Sequence, residues 1–557
     1  MKAYVNQSFA SVIPDVVAKY GANAALSFVG EKPLTYTEFG QEIQAAIAFM
    51  EQLGLQPGDK AVIYSQNMPN WGVMYFAMQC MGVIAVPVLP DFNSFELENV
   101  LQHSESKAIF VSESLEYKLS EVKKDFVQTV IRLDNYEVLE GDKNIVFQKQ
   151  AKSSKTYNPN PEELSVLLYT SGTTGDSKGV MLSQKNIIYN AYQSGMVQPI
   201  EASDKFLSVL PLSHTYENTI GLILPILNGA SVTYLRKPPT PSVLLPALKL
   251  VKPEFMLTVP MIIEKVYRNS VLPQIQKKVL TRILHGFKPT RKLLYYLAGK
   301  KLYQTFGGHL KFFGIGGSKL DGVVEQFLRD AKFPYAIGYG LTETAPLLAG
   351  ANPQFTRLQA IGPKVVDCEV IINNPDPHTG EGEIWAKGPN VMLGYYKNEE
   401  RTREVLTEDG WFKTGDLGVY DKDGWLSHKG RLKNMIVGSN GENIYPEEIE
   451  SVINNFRHVV ESIVIEKKGK LVAFVHFNRE ELEQKVRDMR ADISQKVDDK
   501  FEEISKKVDS VIEELSRELQ QYVNMRVNKV SKIQKFIPYP EPFQKTATKK
   551  IKRYLYF

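Results

Sequence analysis

A chain of 557 residues with 43% hydrophobic and 23% charged residues, 38 Gly and 30 Pro has the proportions of a globular protein of several domain-sized units. A wholly disordered, collagen-like or coiled-coil chain is excluded. The net charge is +4, from 67 basic against 63 acidic residues, so no global basic field argues for nucleic acid as a partner. Cys80 and Cys368 stand far apart with no Cys or His cluster beside either. A disulfide framework and a structural zinc site are therefore not expected, and the compartment reads as reducing and cytoplasmic.

Met1-Lys2 is followed by polar-interrupted sequence, not by the apolar core of a secretory leader. A helix is predicted over 36–53 and a strand over 60–64. Residues 71–90 carry no charge, but Gln79, Gly82, Pro87 and Pro90 interrupt them. They divide into a short helix (about 71–81) and a strand over 83–86, buried core rather than a membrane span. Further strands are predicted over 108–111, 164–169 and 310–313. This alternation of helices with short β-branched runs is the signature of an α/β protein. After about residue 360 short strands punctuated by Gly, such as 382–386, suggest a small β-rich subdomain.

Two stretches depart from this texture. Residues 265–320 contain twelve Lys or Arg and no Asp or Glu, with aromatic and aliphatic residues interleaved. They read as a solvated basic face or as a surface for anionic lipid headgroups or another polyanion. Residues 479–520 hold 22 charged residues in 42, no Gly or Pro, and an apolar stripe from Leu482 and Val486 to Leu515 and Leu519. The stripe repeats every 3.7 residues or so, which predicts one long amphipathic helix or a helical hairpin. It either lies on its own domain or offers a partner surface, so self-association stays open.

The strand over 164–169 runs into Thr170-Ser171-Gly172-Thr173-Thr174-Gly175-Asp176-Ser177-Lys178-Gly179. Backbone N–H groups and hydroxyls in such a loop surround an anion, and Lys178 adds positive charge, as a phosphate cradle requires. The spacing is not that of a Walker loop. Gly175-Asp176-Ser177-Lys178-Gly179 matches a serine-hydrolase elbow in letters only, because Ser177 lies eight residues beyond the strand. Gly314-Ile315-Gly316-Gly317-Ser318-Lys319 likewise fails the dinucleotide fingerprint.

Further along come Leu210-Pro211-Leu212-Ser213-His214-Thr215-Tyr216-Glu217, Gly338-Tyr339-Gly340-Leu341-Thr342-Glu343-Thr344 and Thr414-Gly415-Asp416. They are followed by Gly430-Arg431-Leu432-Lys433-Asn434, Gly441-Glu442-Asn443 and Lys545-Thr546-Ala547-Thr548-Lys549-Lys550. In this order, with the loop at 170–179, they resemble the adenylate-forming superfamily, specifically the long-chain fatty-acyl-CoA ligases. The resemblance covers about residues 5–555.

The resemblance implies a large N-terminal domain over 1–430, made of two α/β subdomains and a small β-barrel-like one. A hinge at 431–434 and a mobile α+β C-terminal domain over 435–557 would follow, with a charged helical insertion at about 479–525. It implies ATP, Mg²⁺ and CoA, with a fatty acid as the other substrate. Thr170, Ser171, Gly172, Thr173, Thr174, Gly175 and Lys178 would hold the β- and γ-phosphates. Gly316, Gly317, Ser318, Tyr339 and Gly340 would form the adenine site, with the Tyr339 ring stacked on the base. Thr342 would contact phosphates, Glu343 would bind magnesium, and Asp416, supported by Arg431, would hold the ribose hydroxyls. Lys433 would be the hinge, Lys550 the catalytic lysine of adenylation, and Gly441 part of the path to CoA. One letter departs from the family pattern, since Lys549 replaces the usual Gly before Lys550.

His214 and the run 259–267 resemble the long-chain members of that family, which implies His214 as an acyl-site residue, with the uncharged residues 220–227 as a wall of an acyl tunnel. An aryl-acid CoA ligase, an acyl–acyl-carrier-protein synthetase and a non-catalytic AMP or lipid sensor remain as alternatives. The expected place is cytoplasmic, with peripheral contact through 265–320 to the inner face of a membrane as a further expectation.

Overall fold

The uncharged segment 71–90 lies at the centre of the molecule. The helix Pro69–Met81 is buried along its whole length from Trp71 to Met81 and touches strands of two different sheets, so it has no solvent face on which a charge could sit. Gly82 ends it in the left-handed conformation, and the buried strand Ile84–Val88 follows. The structure, a computed structural model, describes residues 1–171, 177–437, 443–467, 469–491, 501–546 and 551–556.

Each of the two large sheets has eight strands with a parallel centre and antiparallel edges. In one, the parallel strands Ala24–Phe28, Ser231–Tyr234, Lys205–Ser208, Phe255–Thr258, Phe312–Ile315 and Tyr335–Gly340 end at the antiparallel edge Leu347–Gly350. The other has Ile84–Val88, Lys60–Tyr64, Ala108–Val111 and Thr129–Arg132 in parallel. Its other side is the antiparallel hairpin of Leu164–Ser171 and Ser177–Ser183. Helix Tyr36–Gln52, expected over 36–53, begins at a reciprocal cap between Thr35 and Glu38. The strand expected over 310–313 begins instead at Phe312. Lys311 just before it is exposed and paired with Asp204 and Glu201, which keeps it at the sheet's rim.

The Gly-punctuated region folds into a four-stranded antiparallel sheet of Glu369–Asn373, Gly382–Lys387, Phe412–Tyr420 and Leu426–Arg431. Beyond it, Val459–Lys467, Lys470–Phe477 and Lys535–Pro538 form a three-stranded sheet with its own hydrophobic cluster. The charged stretch is described as two helices, Arg479–Ala491 and Phe501–Asn524, packed on each other. Leu482, Val486, Val508, Leu515 and Leu519 are buried against this sheet, so these stripe residues face the protein's own core. Among the described residues no helix is long and apolar enough to cross a membrane.

Candidate active site

Strand Tyr335–Gly340 and the turn after it organise the site. A Cβ on Gly340 would fall 1.8 Å from the Pro346 carbonyl oxygen, so only glycine lets the chain fold back here. Just before this point the Tyr339 hydroxyl donates to Asp416 Oδ2 at 2.8 Å. Just after it, Glu343 in the turn Thr342–Thr344 accepts from the Tyr395 hydroxyl at 2.9 Å.

Asp416 is 2% exposed and pairs across the hairpin with Arg431, whose Nε lies 2.8 Å from Oδ1. His428 Nε2 stands 3.6 Å from the same oxygen, and its ring is tilted against that of Tyr339. Burial opposes ionisation of Asp416, but Arg431 and His428 outweigh it and hold the carboxyl below its ordinary range. The result is a fixed carboxylate with a phenol, a guanidinium and an imidazole around it.

The glycine-rich loop joins two antiparallel strands instead of leaving a strand for open chain, with Thr170 opposite Lys178 and Ser171 opposite Ser177. Ser177 thus begins a strand and occupies no nucleophile elbow. Gly172, Thr173, Thr174 and Gly175 lie outside the described residues. The Lys178 ammonium sits 5.2 Å from the centre of the Tyr395 ring. Burial and then Arg401 lower its pKa, against the pull of Glu343.

Lys433 follows Arg431 in the short turn Leu432–Asn434. Loss of hydration, then Arg431, Lys178 and Arg401, push its pKa down to about 8, although the residue keeps solvent access. Four cations therefore converge beside Glu343 and Asp416, an arrangement suited to a polyanion. Among the described residues no three His, Cys, Asp or Glu side chains form a group that could hold a metal ion by themselves. Glu343 is the carboxylate beside these cations that could hold a hard cation such as Mg²⁺, which takes oxygen ligands and needs few from the protein.

A cleft of ≈ 510 Å³, open solvent included, adjoins this polar cluster. Its wall is almost wholly apolar and includes Ile220, Leu224, Phe255, Leu257, Ala336 and Ile337. Tyr216 lines it and also packs on Gly316, where a Cβ would stand 3.2 Å from the ring. Gly317 has φ +89°, and Ser318 is exposed beside it. His214 is not among the lining residues. Its Nδ1 accepts from the Tyr216 N–H at 3.3 Å, at the head of the helical segment Tyr216–Ile223 that forms one wall.

A family model described as AMP-binding enzyme matches residues 13–396. The chain belongs to the AMP-binding enzyme family. It is 29% identical over 467 residues to the peroxisomal long chain acyl-CoA synthetase 7 of Arabidopsis thaliana, covering 77% of this chain and 66% of that protein. A chloroplastic long-chain-fatty-acid–[acyl-carrier-protein] ligase of the same plant is 28% identical over 572 residues, covering 85% of this chain and 77% of the relative. The chain thus spans just under two thirds of the length of the first of these relatives. The fold resembles O-succinylbenzoate Coenzyme A synthetase from Bacillus subtilis in complex with AMP. The TM-score is 0.75 at 23% identity, over 98% of this chain and 97% of that one.

Of the residues that the family resemblance picks out, Tyr339, Gly340, Thr342, Glu343, Asp416 and Arg431 come together around one strand and its turn. Gly441, Lys549 and Lys550 lie outside the described residues. The flanks of the last motif are placed on the C-terminal sheet: Lys545 pairs with Glu461 at 2.5 Å, and Arg553 binds Glu450. His428, Tyr395, Arg401 and Tyr216 had no assigned role in the sequence, yet each touches or faces the assigned residues.

Proposed function

We propose that this enzyme activates a fatty acid with ATP, forming acyl-AMP and releasing pyrophosphate, and then transfers the acyl group to the thiol of CoA. The observation that carries the reading is the continuity of strand Tyr335–Gly340. Ala336, Ile337 and Gly338 line the apolar cleft, while the next residue, Tyr339, is bonded to Asp416. One strand thus offers an acyl wall on one side and a polar nucleotide side on the other.

In the first step a carboxylate oxygen of the fatty acid attacks the α-phosphorus of ATP, and the bond to the β-phosphate breaks. The acid is already ionised near pH 7 and needs no base. The protein's work is to align two anions and offset their charge. In our assignment Asp416 accepts the ribose hydroxyls, with Arg431 and His428 fixing its orientation. Gly316, Gly317 and Ser318 receive the adenine with Tyr339. Thr170 through Lys178, with Thr342, hold the phosphates, and Lys550 meets the charge in transit. Glu343 would hold Mg²⁺, which when bound neutralises phosphate charge.

In the second step the thiol sulfur attacks the acyl carbon and AMP leaves. Residues 435–557 are assigned as a mobile domain hinged at 431–434, with Gly441 on the thiol's path. Separate hydrophobic clusters support this. So do the polar contacts between the halves, such as Arg268 to the Asn454 carbonyl at 2.6 Å and Lys319 to Glu448 at 3.3 Å.

ATP–pyrophosphate exchange measured across acids of increasing chain length, with CoA and acyl carrier protein compared as acceptors, tests the reading. Exchange should climb steeply from short acids and level off among long ones, since each buried methylene contributes about 0.8 kcal/mol. A maximum with acetate or with aryl acids overturns the acyl assignment. Product formed with carrier protein but not with CoA would instead favour the acceptor of the chloroplastic relative.

A further inference from the structure

The basic stretch 265–320 has a feature its sequence only hinted at: its apolar residues are not all buried. Helix Val279–His285 buries no residue at all. Leu280 is 68% exposed, Ile283 56% and Phe287, in the turn after the helix, 63%. The next helix, Lys288–Thr305, faces two ways. Tyr295, Gly299 and Leu302 are buried in the core on one side, while Leu293, Tyr296 and Leu297 stand exposed on the other. The hairpin is firmly based, because the Tyr295 hydroxyl meets Tyr267 at 2.9 Å and His285 Nε2 at 3.0 Å. Exposure here therefore belongs to a built surface and not to a frayed end.

Cations surround this apolar tip. Lys277, Lys278, Arg282, Lys288, Lys292, Lys300 and Lys301 are all exposed. Of the twelve basic residues in the stretch, Arg268, Lys311 and Lys319 are the ones in ion pairs among the described residues. Large aliphatic groups at a tip, ringed by cations without carboxylate partners, match the boundary between acyl chains and anionic headgroups. A second copy of the chain is a poor occupant, because a twofold contact would press this basic ring against its like.

We propose that the hairpin of helices Val279–His285 and Lys288–Thr305 docks the protein on anionic lipid bilayers, with Leu280, Ile283 and Phe287 entering the interface and the surrounding Lys and Arg contacting headgroup phosphates. This inference stands independently of the acyl-activation reading.

The test is flotation of the full chain with phosphatidylcholine vesicles, pure or about one third phosphatidylglycerol, at about 0.1 M salt, where exposed charges are screened within about 10 Å. The parent should float with the anionic vesicles only. L280S/I283S/F287S and K277Q/K278Q/R282Q/K288Q should each lower the partition coefficient by on the order of a hundredfold. Both variants should keep parental ATP–pyrophosphate exchange with a soluble acid, which separates loss of docking from loss of fold or chemistry. Phe287→Trp should show a blue-shifted emission when anionic vesicles are added. A parent that stays unbound, or that binds RNA but not vesicles, overturns the proposal. So does parental binding by either variant, or a change confined to self-association.

Discussion

The polar cluster and the apolar cleft are the two halves of the proposed site, and they are built in opposite ways. The polar half gathers Tyr339 and Glu343 from the next-to-edge strand of one large sheet and the turn after it, Tyr395 from the edge strand of the other, and Asp416, His428 and Arg431 from the four-stranded sheet. Each group there is held by a named partner, so deleting one strands another in a buried place. The apolar half is a wall mostly of side chains that carry no polar group, where one residue can change size while its neighbours stay satisfied. Disturbing the polar half should therefore harm turnover of every acid alike, whereas disturbing the apolar half should change only which acid fits.

The largest expected effect is at Asp416. Asp416→Asn keeps the shape but removes the charge that Arg431 and the proposed ribose contact require. ATP–pyrophosphate exchange should fall about 10²–10³-fold, as for loss of one well-placed polar group in a catalytic site. The loss should be equal for a short and a long acid. Unequal losses would break the separation between the halves.

Ser194→Leu probes the other side. The Ser194 hydroxyl is buried at the cleft wall with no hydrogen-bond partner among the described residues, so replacing it forfeits no bond. The larger side chain should cut kcat/KM for the longest acids about tenfold, the value of roughly two buried methylenes. Short acids should be untouched. A uniform loss across chain lengths would show that the cleft does not receive the acyl chain.

Lys433 gives a smaller effect that depends on pH. Its pKa of about 8 leaves it charged at pH 7 and neutral at pH 9. Affinity for ATP should therefore weaken through that range by about threefold to tenfold, since a cation is lost beside a polyanion. Bound ATP would itself shift the transition to higher pH. Lys433→Met should bind more weakly at pH 7 and show a flatter profile in equilibrium titrations. A variant that keeps the parental slope would remove Lys433 from the account.

The smallest effect is on stability. Glu217, on the helical segment that walls the cleft, is buried, and burial pushes its carboxyl up to about 8. The unfolded chain loses that proton near the ordinary carboxylate value, so this contribution is intact at acid pH and falls as pH rises towards 8. Glu217→Gln cannot ionise. The difference in thermal midpoint, variant minus parent, should grow by about 2–4 °C between pH 5 and pH 8. A constant difference would mean that Glu217 does not hold its proton in the fold.

Much of this was legible in the chain. The central helix and strand of 71–90 follow from an uncharged run too broken to span a membrane, and the β-rich unit from its spaced glycines. The Asp416–Arg431 pair shows where such reading stops. The turn after Tyr420 announces a hairpin, and counting back from Tyr420 opposite Leu426 would set Asp416 opposite Gly430. A bulge between Leu417 and Gly418 shifts the register by one and brings Arg431 there instead. Tyr395 was invisible for another reason: it reaches Glu343 from a two-residue strand whose pairing with Ser177–Ser183 spans more than 200 positions. The charged stripe at 479–520 left two readings open, its own domain or a partner surface, and the residues described at its two ends lie in the protein's own core. Charge density did not decide that outcome; a complementary sheet in the same chain did.

The central claim is that the acid is carried through an adenylate formed across these two halves, and the fate of one oxygen atom tests it. A fatty acid labelled with oxygen-18 in its carboxylate, turned over with ATP and CoA, should give AMP that carries one labelled oxygen. The attacking oxygen becomes the bridge in acyl-AMP and leaves with AMP when sulfur attacks the carbon. Unlabelled AMP alongside thioester product, or label appearing in inorganic phosphate or pyrophosphate, would contradict the account.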